Sequence, residues 1–434
     1  MSLTMSAPRS GALGVMPPLI SMLIFVIGHG LLTTLLTVRM SAESASTFAI
    51  GMISTAYFAG LVIGSFVNAK LIIRVGHIRA YAAYASMLAS VAIMYGLVVE
   101  PYTWAFLRLL GGFATGGLLV VIESWMLVSS SSENRGKVMA IYMILFYASL
   151  ACGQLLLKYI DPLTLIPFAL AAIAASLSVV PLSLTRVAMP EMGEPHPLSM
   201  IELIRLTPAG VLSSFMSGMV LGVIYGLLPL FFTQSGYDLD WVANLMAVVI
   251  VGGMALQYPV GRASDRYDRR LTLTALAAAL AILSSIMSLM SYGAGGSNAM
   301  MALMIFLLGG VAFSIYPISL SHACDELQPE QVISANQGLL IAYSIGAMTG
   351  PLVEPAFVSM MGPKGIFTYF AVVSLALVGF LLWRRRVRTA VPLDEHQAYT
   401  LTTPNTPVMA EFDPRSDQDD SLNDEAASKE EKAA

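Results

Sequence analysis

Arg108 and Glu123 are ionisable residues inside one apolar run, about residues 104 to 128. If that run crosses a membrane, each charge costs about 2.5 to 3.5 kcal/mol on insertion scales, and by default it faces the bundle interior or a water-filled cavity. Fifteen residues separate the two, which on a helix places them within about 60° in azimuth and roughly 22 Å apart along the axis. One face of the helix would carry both. Glu123 reads either as a proton- or substrate-binding carboxylate or as the partner of a salt bridge to Arg135 or another loop arginine. Arg108, expected near the outer end, reads as functional or as a snorkelling side chain. His322 is followed at i+3 and i+4 by Asp325 and Glu326, a cluster that would relay protons or merely end a helix. Glu354, between Pro351 and Pro355, is a further embedded carboxylate.

The elements that must position these groups follow from composition. The chain has 434 residues, 56% hydrophobic and 12% charged, against about 25% charged in soluble domains. That excludes a soluble enzyme. Apolar runs recur at about residues 16–38, 48–72, 80–99, 104–128, 138–159, 163–184, 209–233, 241–262, 271–292, 300–323, 336–361 and 366–383, each about the length of a membrane-spanning helix. The expected architecture is an all-α membrane protein of twelve transmembrane helices in two pseudo-symmetric six-helix bundles. Cys152 and Cys324 both fall in or at the end of apolar runs and form neither a disulfide framework nor a zinc site. No cofactor is expected.

Lys and Arg are unevenly placed. Loops on one side collect sixteen, including Arg74, Arg135, Arg262 and Arg384 to Arg386, whereas the other side holds Arg39, Lys158 and Lys364. Because positive charge is retained inside, both termini are expected on the cytoplasmic side of the membrane. The expected divisions are a cytoplasmic N-terminus (1–15), a first bundle (16–184), a central cytoplasmic loop (185–208), a second bundle (209–383), and a basic anchor with an acidic tail (384–434). From residue 389 the tail holds 3 Lys/Arg against 11 Asp/Glu, with too little apolar surface to fold. The halves also look alike: Leu109-Leu110-Gly111-Gly112 recurs as Leu307-Leu308-Gly309-Gly310, offset by 198. Two related six-helix halves are the pattern of a parallel-repeat transporter, with its site between the halves near the midplane.

The loop Gly261-Arg262-Ala263-Ser264-Asp265-Arg266-Tyr267-Asp268-Arg269-Arg270 resembles the G-x-x-x-D-R-x-G-R-R motif of the major facilitator superfamily, with Asp268 where that family usually has Gly. Such a loop is a latch, its Asp accepting charge-assisted hydrogen bonds from Arg and from a helix N-terminus. The first-half copy is decayed. It keeps Arg74 and Gly76, with Ile73 at the Asp position and Ala69 at the first Gly. Arg108 with Gly112 resembles the superfamily's R-x-x-x-G motif. Val121-Ile122-Glu123-Ser124, Asn134-Arg135-Gly136, Ser217 to Gly222, and Gln257-Tyr258-Pro259-Val260-Gly261-Arg262 are similar to the bacterial YcaD-like subgroup, over essentially the whole membrane body. The resemblance implies that spans 1, 4, 7 and 10 line the cavity. That promotes His29, Tyr225, Tyr316 and His322 as contacts, beside the embedded Gln257.

The expected function is secondary active transport of a small organic molecule by alternating access, proton-coupled, with efflux slightly favoured over uptake. Partners would be that substrate, the lipid bilayer and a proton co-substrate, with no nucleic acid. Glu123, Arg108, His29, Tyr225, Tyr316, His322, Gln257 and Glu354 are the proton or substrate candidates. The cytoplasmic gate would use Asp265, Arg266, Arg269, Arg270, Gly261, Arg74, Gly76 and Arg135. The alternative is a transporter-fold sensor or scaffold signalling through the C-terminal tail. An intramembrane enzyme is disfavoured because no catalytic constellation is visible.

Overall fold

A computed structural model of the chain describes residues 12–130, 134–185, 199–290, 297–327, 331–387 and Tyr399. Twelve helices among them are long and apolar enough to cross a membrane. They are span 1 (Gly14–Ala42), span 2 (Thr47–Val75), span 3 (His77–Leu97), span 4 (Pro101–Leu127), span 5 (Arg135–Tyr159) and span 6 (Ile166–Ser183). The second half repeats the count with span 7 (Pro208–Gly226), span 8 (Leu239–Ser264), span 9 (Arg269–Leu289), span 10 (Asn298–Asp325), span 11 (Ser334–Met361) and span 12 (Gly365–Val387). The even number puts the start of span 1 and the end of span 12 on one side, the terminal face; the connections after spans 1, 3, 5, 7, 9 and 11 mark the far face.

Local chemistry sets the boundaries. Glu100 caps span 4, accepting hydrogen bonds from the backbone N–H groups of Thr103 and Tyr102 at 2.6 and 3.0 Å. The same two bonds hold its carboxyl below the usual carboxylate range. Asp238 caps span 8 by accepting from Trp241 N–H at 2.9 Å, and Ser46 caps span 2 through Ala49 N–H at 3.2 Å. Span 6 is interrupted at Ser178, whose hydroxyl accepts from Tyr81 at 3.0 Å and donates to the Ala175 carbonyl at 2.7 Å. Within the expected central loop, residues 186–198 lie outside the described ones, and Met200–Leu206 forms a short helix capped by Ser199.

In the first half span 1 packs on span 5 and span 2 on span 4; in the second half span 7 packs on span 11 and span 8 on span 10. With lipid on the outside, such contacts are driven by close backbone approach at small residues. A Cβ on Gly112 would overlap the Tyr57 carbonyl, and one on Gly309 would overlap the Val249 carbonyl. The glycines doing the same work are thus 112 and 309, one residue out of register with the 198-residue offset read from the sequence. Phe66, Leu177, Ile286 and Leu375 lie on the outer surface, an apolar belt suited to hydrocarbon.

The two bundles meet directly at the far face. Thr37 of span 1 donates to the Gly226 carbonyl of span 7 at 2.8 Å, and Thr55 of span 2 donates to the Met348 carbonyl of span 11 at 2.8 Å. Ser41 and Thr233 add a hydroxyl pair at 3.4 Å. Gly51 faces the Pro351 carbonyl too closely for any side chain.

Candidate transport cavity and terminal-face latch

Beneath that seal lies a cavity of about 90 Å³ lined by both halves. Span 1 contributes His29, span 2 Tyr57, span 4 Arg108, span 5 Tyr147, span 7 Tyr225 and span 10 Phe313, with Tyr343 from span 11. Spans 2, 5 and 11 therefore join the expected spans 1, 4, 7 and 10. Phe313 meets Tyr147 and Tyr225 edge to face, with centroids 5.9 and 5.7 Å apart, so one ring from the second half bridges the two bundles.

Arg108 is buried to 9% exposure rather than snorkelling to the surface. Its guanidinium carbon lies 4.5 Å from the centroid of Tyr57. The Tyr57 hydroxyl is 3.4 Å from His29 Nε2, and the His29 ring lies 5.6 Å from both Phe25 and Tyr57. Arg108 Nε has no hydrogen-bond partner. The residue also lines two smaller cavities, of about 30 and 10 Å³, and neither these nor the main one is lined by an Asp or Glu.

The other candidates lie elsewhere. Glu123 is fully buried and accepts a hydrogen bond from Tyr142 of span 5 at 2.7 Å. It is not among the residues lining the cavity, because the four turns separating it from Arg108 carry it toward the terminal face. Tyr316 sits behind the wall, edge to face with Tyr343 and donating to Asn336 at 3.4 Å. Gln257 donates to the Phe313 carbonyl at 3.4 Å. Glu354 is buried in span 11 near Tyr369, with Oε2 unbonded, and lines none of these cavities.

The terminal face holds a charge cluster. Asp325, at the end of span 10, pairs with Arg269 at 3.0 Å, both only 1% exposed. Arg269 also reaches Asp265 at 3.4 Å. Asp325, expected beside His322, also reaches span 9, and His322 Nε2 lies 3.7 Å from Glu326. Asp268 is the N-cap of span 9, accepting from Arg270 N–H at 2.8 Å, which explains an Asp at the motif's usual Gly position. Arg266 and Arg74 are exposed, Arg270 is buried, and Arg135 begins span 5. Gly76 joins spans 2 and 3 at a φ of 87°, a conformation that favours glycine. Tyr399 of the tail reaches the cluster: its backbone N–H donates to Asp265 at 3.0 Å, and its ring covers Gly261. The tail's other residues, where disorder was expected, lie outside the described ones. The sequence reading missed Asp325 as the partner of Arg269, and Tyr57, Tyr147 and Tyr343 as cavity wall.

The family model described as Major Facilitator Superfamily matches residues 19–340 and 245–416. An uncharacterised MFS-type transporter of Enterobacter sp. (strain 638) is 30% identical over 373 residues, covering 85% of this chain and 94% of the relative. YcaD of Escherichia fergusonii, likewise described as an uncharacterised MFS-type transporter, is 30% identical over 376 residues, covering 86% and 96%. Among solved structures, the nucleoside transporter NupG superposes with a TM-score of 0.70 at 15% identity, covering 85% of this chain and 98% of that one. A bacterial homologue of the human lysosomal transporter Spinster, in an inward-facing and occupied conformation, gives 0.71 at 13% identity, covering 90% and 99%. The matched body and the paired six-helix halves lead to one assignment: the chain is a multi-pass membrane protein of the major facilitator superfamily, in the YcaD-like subgroup of its transporters.

Proposed function

We propose that this chain is a secondary active transporter that moves a small organic molecule by rocking its two halves about the Arg108 cavity. The observation that carries the reading is a cavity lined by both halves and sealed on the far face by direct bonds between them. Such a seal must break for the opposite access state to form. With both termini in the cytoplasm of a bacterial inner membrane, as sixteen Lys/Arg against three favour, this arrangement is the one closed to the outside. Proton coupling with Glu123 as the titrating carboxylate is supported by its complete burial in a span. One proton crossing 100 mV supplies about 2.3 kcal/mol. Efflux is slightly favoured over uptake, on a cavity wall rich in Tyr.

Proteoliposomes loaded with a pH-sensitive dye test the coupling. Solutes that move through the wild type should move protons with them, and Glu123→Gln, folded and inserted, should lose that linked flux. Solute movement with no proton flux in the wild type rejects the coupling, and full linked flux in the variant rejects the residue.

Tyr399 favours a second reading, in which the tail reports on the state of the latch. Deleting residues 389–434 separates the two. Transport through the cavity survives the deletion, whereas signalling through the tail does not.

A further inference from the structure

The chemistry around Arg108 narrows the cargo. A guanidinium is permanently charged in proteins, and burying one without a partner is costly. Among the described residues, Arg108 has no ion pair and no hydrogen bond; its one favourable contact is the Tyr57 ring. That contact covers the guanidinium's flat face, and the in-plane N–H groups that match a carboxylate in two parallel bonds are not used by it. Arg269 shows the contrast within the same fold, answered by Asp325 and Asp265.

We propose that the cavity binds a small organic anion with one flat apolar ring, its carboxylate or equivalent oxyanion paired with Arg108 and its ring packed among Tyr147, Tyr225 and Phe313. The proposal rests on the transport reading for the role of the site, but not for its chemistry. Three observations agree with it. Arg108 is nine-tenths buried and aimed into the cavity. No Asp or Glu lines any of the three cavities it borders, so an organic cation would meet a like charge and no counter-charge. The remaining wall mixes aromatic rings from both halves with aliphatic and hydroxyl side chains such as Leu119 and Thr115, and His29 and Tyr57 stand beside the guanidinium to orient the oxyanion. In this arrangement the cavity of about 90 Å³ has room for about one ring.

The test uses the detergent-purified full chain and three matched probes: benzoate, phenylacetate and 4-hydroxybenzoate, each against its neutral amide, with benzylammonium as the cation. Ligands that bind the folded state raise its unfolding temperature with concentration. At least one acid should do so, its amide at least tenfold more weakly, about 1.4 kcal/mol, and benzylammonium not at all. Arg108→Gln should abolish the preference for acid over amide, and Arg108→Lys should keep part of it. The acid–amide comparison in the wild type needs no variant to fold. Equal stabilisation by acid and amide, no stabilisation by any acid, or an acid effect unchanged in Arg108→Gln overturns the proposal. Radiolabelled flux into proteoliposomes separates the two readings: acid binding without flux keeps the anion site and removes transport, whereas flux of a neutral solute such as uridine, indifferent to Arg108, does the reverse.

Discussion

Two buried arginines in one membrane fold are treated in opposite ways. Arg269 opens span 9 at the terminal face and is held by Asp325 at 3.0 Å and Asp265 at 3.4 Å. Arg108 is buried in span 4, with an aromatic ring at 4.5 Å and, among the described residues, no carboxylate lining the three cavities described above. Both charges cost desolvation; among the described residues only Arg269 has a carboxylate partner. A charge answered internally serves the architecture or its gating. One left unanswered beside a cavity makes sense when a ligand supplies the counter-charge.

Stability breaks or sharpens this contrast most directly. Arg269→Gln removes the guanidinium that pairs with Asp325 where both are 1% exposed, and removing one member of a buried pair costs about 3 to 5 kcal/mol. Its unfolding temperature in detergent should fall well below that of the wild type. Arg108→Gln should go the other way. It removes an uncompensated charge whose burial costs at most about 2.5 to 3.5 kcal/mol, and it loses a cation–π contact worth about 0.5 to 2 kcal/mol. The apo protein should therefore be unchanged or more stable. A large destabilisation would show that Arg108 has an internal partner after all and would collapse the comparison.

Glu123 gives a smaller effect. Tyr142→Phe removes the hydroxyl that donates to it at 2.7 Å, and hydrogen bonds to charged groups are worth about 1.5 to 3 kcal/mol. Loss of stability in that range, together with altered proton flux in dye-loaded vesicles, would join Glu123 to the transport cycle. Loss of stability alone would make it a packing link between spans 4 and 5.

The twelve spans and the pairing of the halves were legible because hydrocarbon imposes a length and a composition on every spanning helix. The charged loop after span 8 was legible as a motif because its residues are consecutive. Its completion was not: Asp325 and Arg269 are far apart in the chain, and the local i+3 spacing to His322 pointed to another partner. Arg108 stood out as a charge in an apolar run, but the rings around it did not. A Tyr at position 57, 147 or 343 in a hydrophobic span has the same sequence signature whether it packs against lipid, another helix or a cavity. Only the approach of spans 2, 5 and 11 to the centre distinguishes these cases. Glu123 and Arg108 share a helix face by periodicity, but periodicity does not say where along the axis a cavity ends.

The smallest effect tests the bonds that join the two halves at the far face. Thr37 donates to the Gly226 carbonyl at 2.8 Å across the bundle boundary, and one such bond contributes about 0.5 to 1.5 kcal/mol. Thr37→Val keeps the shape and removes the donor, so opening at the far face should become about two- to twelvefold more populated. Ser54, which lines the cavity and packs on Gly226, provides the probe. In a chain with Cys152 and Cys324 replaced by Ser, a cysteine at position 54 should react faster with an impermeant maleimide from the far side when Thr37 is Val. Thr37→Ser, which keeps a donor, should restore the slow rate. Equal rates in all three proteins would mean that the Gly51–Pro351 contact and the Thr55–Met348 bond hold the far face without Thr37, placing the seal at spans 2 and 11 rather than at spans 1 and 7.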